Sequence, residues 1–122
     1  MGIAYNNLLN IVEKINQNKK ALQVFVTDIE GKSVDWNMIF QFNLENEEPF
    51  YLEIKNQQLN VKSGTFQDAE IIMSGDNNAI LKICQGKGDF THAISREEIK
   101  VDFGKVIDVI RLTRAITIIL KS

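Results

Sequence analysis

The sequence predicts an α+β fold of two layers, a sheet of about five strands with about five helices on one face. Three observations lead there. Between Trp36 and Lys62 apolar residues recur with period two in three successive runs, as in strands that bury one face. Before and after that block the spacing lengthens to that of amphipathic helices. A sheet that is apolar on one side only must carry its helices on that side. With 122 residues the chain suits one domain with a real core.

Taken in order, Tyr5, Leu8, Leu9, Val12 and Ile15 form one stripe of a first helix, which Asn16-Gln17-Asn18 ends. The next segment, Lys19 to Glu30, is mixed. Val24-Phe25-Val26-Thr27 favours a strand by propensity, but Leu22, Phe25, Val26 and Ile29 share a helical face between a cap at Asn18 and a stop at Gly31. Period outweighs propensity over such a window, so a helix is expected. Trp36, Met38, Phe40, Phe42 and Leu44 then point one way. After a polar turn at Glu45–Pro49, Phe50, Leu52 and Ile54 alternate with Tyr51, Glu53 and Lys55. Beyond Asn56-Gln57, Leu59 and Val61 do the same, which makes a three-stranded meander.

A short β-branched run over Asp68–Ser74 gives the fourth strand. Asp76 caps a helix whose apolar face is Ala79, Ile80, Ile83 and Cys84, and Gly86 stops it. Asp89 caps a shorter helix with Phe90, Ala93 and Ile94, and Ile99–Phe103 alternates as the fifth strand. A final helix spans Lys105–Leu120. Val106, Val109, Leu112, Ile116, Ile119 and Leu120 share one face, while Ile107 and Ile118 fall in the polar arc opposite. A helix covering a sheet needs only one stripe, so the surplus requires a ligand, a further helix or a second subunit to cover it.

Composition narrows the function. A net charge of -2 with no cationic run gives no support to nucleic-acid binding. One cysteine permits no internal disulfide, no apolar run is long enough for a membrane span, and no signal-peptide core opens the chain, so a cytoplasmic protein is expected. Catalytic signals are weak throughout. Cys84 falls on an apolar helix face, His92 on a short helix eight residues away, and no histidine–cysteine metal set exists. Glu97-Glu98 reads as a solvated turn, and Gly86-Lys87-Gly88 lacks the strand and Ser/Thr of a phosphate loop.

Several strings, in their order and spacing, resemble the sterol carrier protein type-2 domain family. They are Ile39–Leu44, Phe50–Asn56, Ala69–Ser74, Ile83-Cys84-Gln85-Gly86, Asp89–Ile94 and Ile99-Lys100-Val101. The likeness runs from Ile39 to Leu120. Where the family usually has glycine before and after the last strand, this chain has Glu97 and Asp102-Phe103, with Gly104 one place late, and Glu70 stands for an aspartate. The resemblance implies five helices on one face of a sheet, an apolar tunnel between them holding a sterol, fatty acyl chain or similar lipid, no cofactor and no catalytic residues.

Burying about twelve methylenes yields roughly 10 kcal/mol gross, part of which association and ordering costs offset. Candidate lining residues are Trp36, Phe40, Phe42 and Leu52 from the sheet region, Phe90 and Ile94 from the short helix, and Phe103, Val106, Ile110 and Ile116 from the last strand and helix. The expected partner is a lipid, with at most transient membrane contact. The rival readings are a ligand-free interaction module that uses Ile107 and Ile118 to form a homodimer or dock a partner, and an accessory subunit presenting lipid-like substrates to an enzyme.

Overall fold

Two periodicities in the sequence become two layers. The computed structural model describes residues 2–122. It runs α1 (Ile3–Asn16), α2 (Lys19–Leu22), a 3-10 turn (Gln23–Phe25), β1 (Val26–Ile29), β2 (Lys32–Asp35), β3 (Met38–Glu45), β4 (Phe50–Lys55), β5 (Gln58–Ser63), β6 (Ile71–Asp76), α3 (Asn77–Cys84), α4 (Phe90–Ser95), β7 (Ile99–Phe103) and α5 (Val106–Leu120). The main sheet has the order β5-β4-β3-β6-β7, and β1 with β2 forms a separate hairpin. All pairings are antiparallel except that of β3 with β6.

The expected meander is present as β3-β4-β5. Its inward residues, Phe40, Phe42, Leu44, Phe50, Leu52, Ile54, Leu59 and Val61, join Ile71 and Met73 of β6 and the buried faces of the helices in one core. Phe25, Phe40, Phe42 and Phe90 are fully buried within it and Phe50 nearly so, with the Phe42 and Phe50 rings stacked at 4.9 Å. Both aspartate caps form as expected: Asp76 accepts from the Asn78 N–H and Asp89 from the His92 N–H, each at 2.9 Å.

The helix expected over Lys19–Glu30 is corrected. Asn18 does cap it, accepting from the Ala21 N–H, but α2 lasts only to Leu22 before tightening into the 3-10 turn. Ala21, Val24 and Phe25 bury themselves, and from Val26 onward β-branched residues go into a hairpin. Glu30 (φ 52°) and Gly31 (φ 81°) supply the two left-handed residues of its tight turn. Ile29, placed by the helical spacing on the apolar face, is 58% exposed. The first and fourth strands also begin later than expected, at Met38 and Ile71.

To reach its place beside β3, the chain between β5 and β6 crosses the sheet on the face away from the helices. Gln41 holds that crossing. Its amide nitrogen donates to the carbonyls of Phe50 (3.1 Å) and Gly64 (3.3 Å), and its oxygen accepts from the Phe66 N–H at 2.8 Å. Phe66 packs against Tyr51, so Gln41, which alternation places opposite the inward residues of β3, is 1% exposed. Every buried polar group on it has a partner.

Glu97 adopts φ 61° ahead of β7, so the backbone keeps a conformation that glycine adopts more easily. After β7, Gly104 (φ 98°) lies against the Glu70 carbonyl, where a Cβ would collide with backbone.

Candidate functional site

The ten expected lining residues separate into three groups. Phe40, Phe42, Leu52, Phe90 and Ile116 are buried in the core between sheet and helices, none more than 2% exposed. Trp36 and Ile94 are half-buried at its margin. Phe103, Val106 and Ile110 are exposed, at 60%, 42% and 38%.

Local geometry explains the last group. The β6–β7 register slips after Met73↔Val101, and Phe103 pairs with Ile72. Ile72 is itself in register with the outward-facing Gln41, so the slip ends the inward alternation of Ile99 and Val101. In α5 the buried residues are Val109, Leu112, Thr113, Ala115 and Ile116, which leaves Val106, Ile107 and Ile110 on the open side. Ile107 is 70% exposed, as its place in the polar arc predicts. Ile118, read into the same arc, packs half-buried against the core instead. At the foot of α5 a concavity of about 420 Å³ is lined by Met38, Glu70, Phe103, Gly104, Lys105, Ile107 and Asp108.

Trp36 links the surface to the interior. Its ring stacks on Phe25 at 6.1 Å and tilts against Phe40 at 6.2 Å, and its backbone N–H donates to the Phe25 carbonyl. Arg111 closes over it from α5, the guanidinium carbon 4.8 Å from the ring centroid and Nη1 donating to the Val24 carbonyl at 2.7 Å. Helical spacing alone places Arg111 opposite the apolar stripe of α5. Its role depends on a contact 87 residues away in sequence, which no local pattern reports. Thr113, also on α5, buries a hydroxyl without a hydrogen-bond partner among the described residues.

Reactive groups are elsewhere. Burial pushes the Cys84 thiol up from 9.0 to about 12, which keeps it protonated and unreactive at neutral pH. His92 is exposed beside Asp89, at 3.1 Å. Among the described residues no group of three or more His, Cys, Asp or Glu is arranged to hold a metal, and no helix is long and apolar enough to cross a membrane.

A model of the SCP-2 sterol transfer family matches residues 12–102. The chain belongs to this family. The match takes in α1 from Val12, the hairpin, and the sheet almost to the end of β7. Solved structures of the SCP-2 type share the fold. A ubiquinone synthesis protein, UbiJ-SCP2, has a TM-score of 0.67 at 14% identity, over 94% of this chain and 87% of its own. Sterol carrier protein 2 of Yarrowia lipolytica, in its apo form, gives 0.63 at 18% identity, covering 98% and 91%. The sec-alkylsulfatase Pisa1 from Pseudomonas sp. gives 0.55 at 18% identity over 66% of this chain, which corresponds to 12% of that enzyme's length. At such identities these likenesses establish the SCP-2 fold alone. No curated protein matches the sequence closely enough to count as a relative.

Proposed function

We propose that these 122 residues act as one non-enzymatic unit that binds, and can pass on, a long-chain lipid between α5 and the helix-covered face of the sheet. The observation that carries this reading is the character of α5. It presents apolar side chains on two sides, and among the described residues one side-chain hydrogen bond, from Arg111 to Val24, joins it to the rest of the molecule. A cover held mainly by non-directional apolar contact can exchange those contacts for an acyl chain at little net cost. Membership in the SCP-2 sterol transfer family supports the same class of ligand. Phe40, Phe42, Leu52, Phe90 and Ile116 are packed into the core, so this reading requires α5 to shift on uptake, with Trp36, Ile94, Phe103, Val106 and Ile110 meeting the lipid first and the five core residues after it.

Organic extraction of protein purified without detergent, paired with native mass spectrometry, tests this. An added mass of a few hundred daltons that extraction identifies as lipid is expected. A chain that carries none and fails to displace a fluorescent fatty acid from solution refutes it.

One observation favours a second reading. Ile107 is the most exposed large apolar residue among the described residues, as expected of an interaction module whose α5 docks another protein or a second copy. A lipid-free dimer in native mass spectrometry that Ile107→Glu dissociates would select this reading over the first. Activity that appears only with an added enzyme would mark an accessory subunit.

A further inference from the structure

We propose that Arg111 is the head-group clamp of the lipid site, selecting single-chain amphiphiles that end in a carboxylate over neutral lipids of equal length. This rests on the lipid-binding reading above and names the class of ligand. Of the chain's 14 lysines and arginines, Arg111 is the only one that is not exposed. It is also without a counter-ion: the ion pairs among the described residues are Lys62–Glu53 and His92–Asp89. Asp108, one turn before it on α5, and Asp35, next to Trp36 in the sequence, form none with it.

The setting fixes the guanidinium without neutralising it. One face lies over the Trp36 ring, and Nη1 donates to the Val24 carbonyl. A guanidinium presents five N–H donors in a planar fork, and a single carbonyl leaves the Nε–Nη2 edge with no protein acceptor among the described residues. That edge matches a carboxylate in spacing and charge and takes it bidentately. Withdrawing a cation partly from water without pairing it is unfavourable, so an anionic ligand relieves a cost already present in the free protein.

An apolar track begins at the same place. Ile107 lies one turn before Arg111 on α5 and Ile110 next to it, both exposed. Trp36 beneath the guanidinium leads inward to Phe40. A carboxylate seated on Arg111 therefore starts its chain on apolar surface, whereas an alcohol or a sterol hydroxyl leaves the charge unmatched.

The test compares hexadecanoate with hexadecan-1-ol, delivered from cyclodextrin to the full chain and to Arg111→Gln and Arg111→Lys, with Trp36 fluorescence as the readout. The unaltered chain is expected to prefer the acid by about tenfold or more, and Arg111→Gln to bring the two within about twofold, while Arg111→Lys retains part of the preference. A second measurement needs no variant. The 13C-labelled carboxyl of bound hexadecanoate is expected to titrate below its value for an exposed fatty acid, because the adjacent cation favours the ionised form. Equal binding of acid and alcohol by the unaltered chain, an undiminished preference in Arg111→Gln, or a carboxyl that titrates no lower than an exposed one overturns the clamp and leaves lipid binding intact. Binding of neither ligand overturns both.

Discussion

Helices α1 and α5 both lie on the core side of the sheet, yet they are fastened by different physics. The first is pinned by polar groups. Glu47, from the β3–β4 turn, accepts from the N–H groups of Ala4 (3.0 Å) and Tyr5 (3.2 Å), serving a helix start whose own N-cap, Gly2, has no side chain to offer. At the other end Asn16 both donates to and accepts from the backbone of Leu59, at 2.8 and 2.9 Å, as a neighbouring strand would at the edge of β5. Among the described residues helix α5 has Arg111 alone for such a tie, together with a Thr113 hydroxyl that has no hydrogen-bond partner there and an exposed apolar side. Directional bonds define one geometry, whereas apolar contact tolerates several. The lipid-binding proposal accordingly takes α1 as the fixed wall of the site and α5 as the part that gives way.

Four measurements break or sharpen that contrast. The largest effect is expected from Phe40→Ala, which empties the core beneath both helices and costs about 3–5 kcal/mol in chemical denaturation. An effect confined to α5 would show that the two walls do not share one core. Next comes Cys84, on α3, which packs alongside α1. Its folded-state pKa lies above the unfolded value, so its contribution is complete below about pH 9 and falls away as pH rises toward 12. The stability curve of Cys84→Ala is expected to lack that decline, and the native thiol to react with a disulfide reagent at pH 8 only on unfolding.

Glu47→Ala is expected to cost about 1–2 kcal/mol and to speed amide exchange in the first turn of α1 while leaving α5 unchanged. Equal acceleration in both helices would remove the distinction between them. The smallest change is expected from Ile107→Glu, within about 0.5 kcal/mol of the unaltered chain, because the side chain already faces water. A substantially larger loss of stability would mean that this side of α5 is covered in the isolated protein.

The readings that succeeded came from signals that act locally. Alternation gave the meander because a pleated strand with one dry face has no other way to distribute its residues, and Asp76 and Asp89 gave the caps because a carboxylate beside free N–H groups needs no tertiary support. The failures mark where distant partners decide. At Val26–Ile29 a helical spacing and β-branched side chains disagreed, and pairing with Lys32–Asp35 settled the matter in favour of the strand. The burial of Gln41, on the polar side of the β3 alternation, is not legible locally, because the crossing chain that covers it comes more than twenty residues later. Among the expected lining residues, the buried sheet and helix positions followed from period. Phe103 did not, because a register slip in β6–β7 leaves no trace in the spacing of β7. Arg111 was invisible for the same reason as Gln41.

The parallel pairing of β3 with β6 has a consequence for folding. Local antiparallel pairing completes β3, β4 and β5 over residues 38–63, but the first strand of that trio offers a bare row of backbone donors and acceptors until its second neighbour, Ile71–Asp76, docks in parallel. Until the bridging segment has swung over and locked onto the Gln41 amide, that edge is open to strands of other chains. A chain with the trio formed and β6 not yet docked is thus exposed to aggregation, and substitutions that slow closure, Gln41→Leu among them, are expected to lower refolding yield more than they lower the stability of the finished protein.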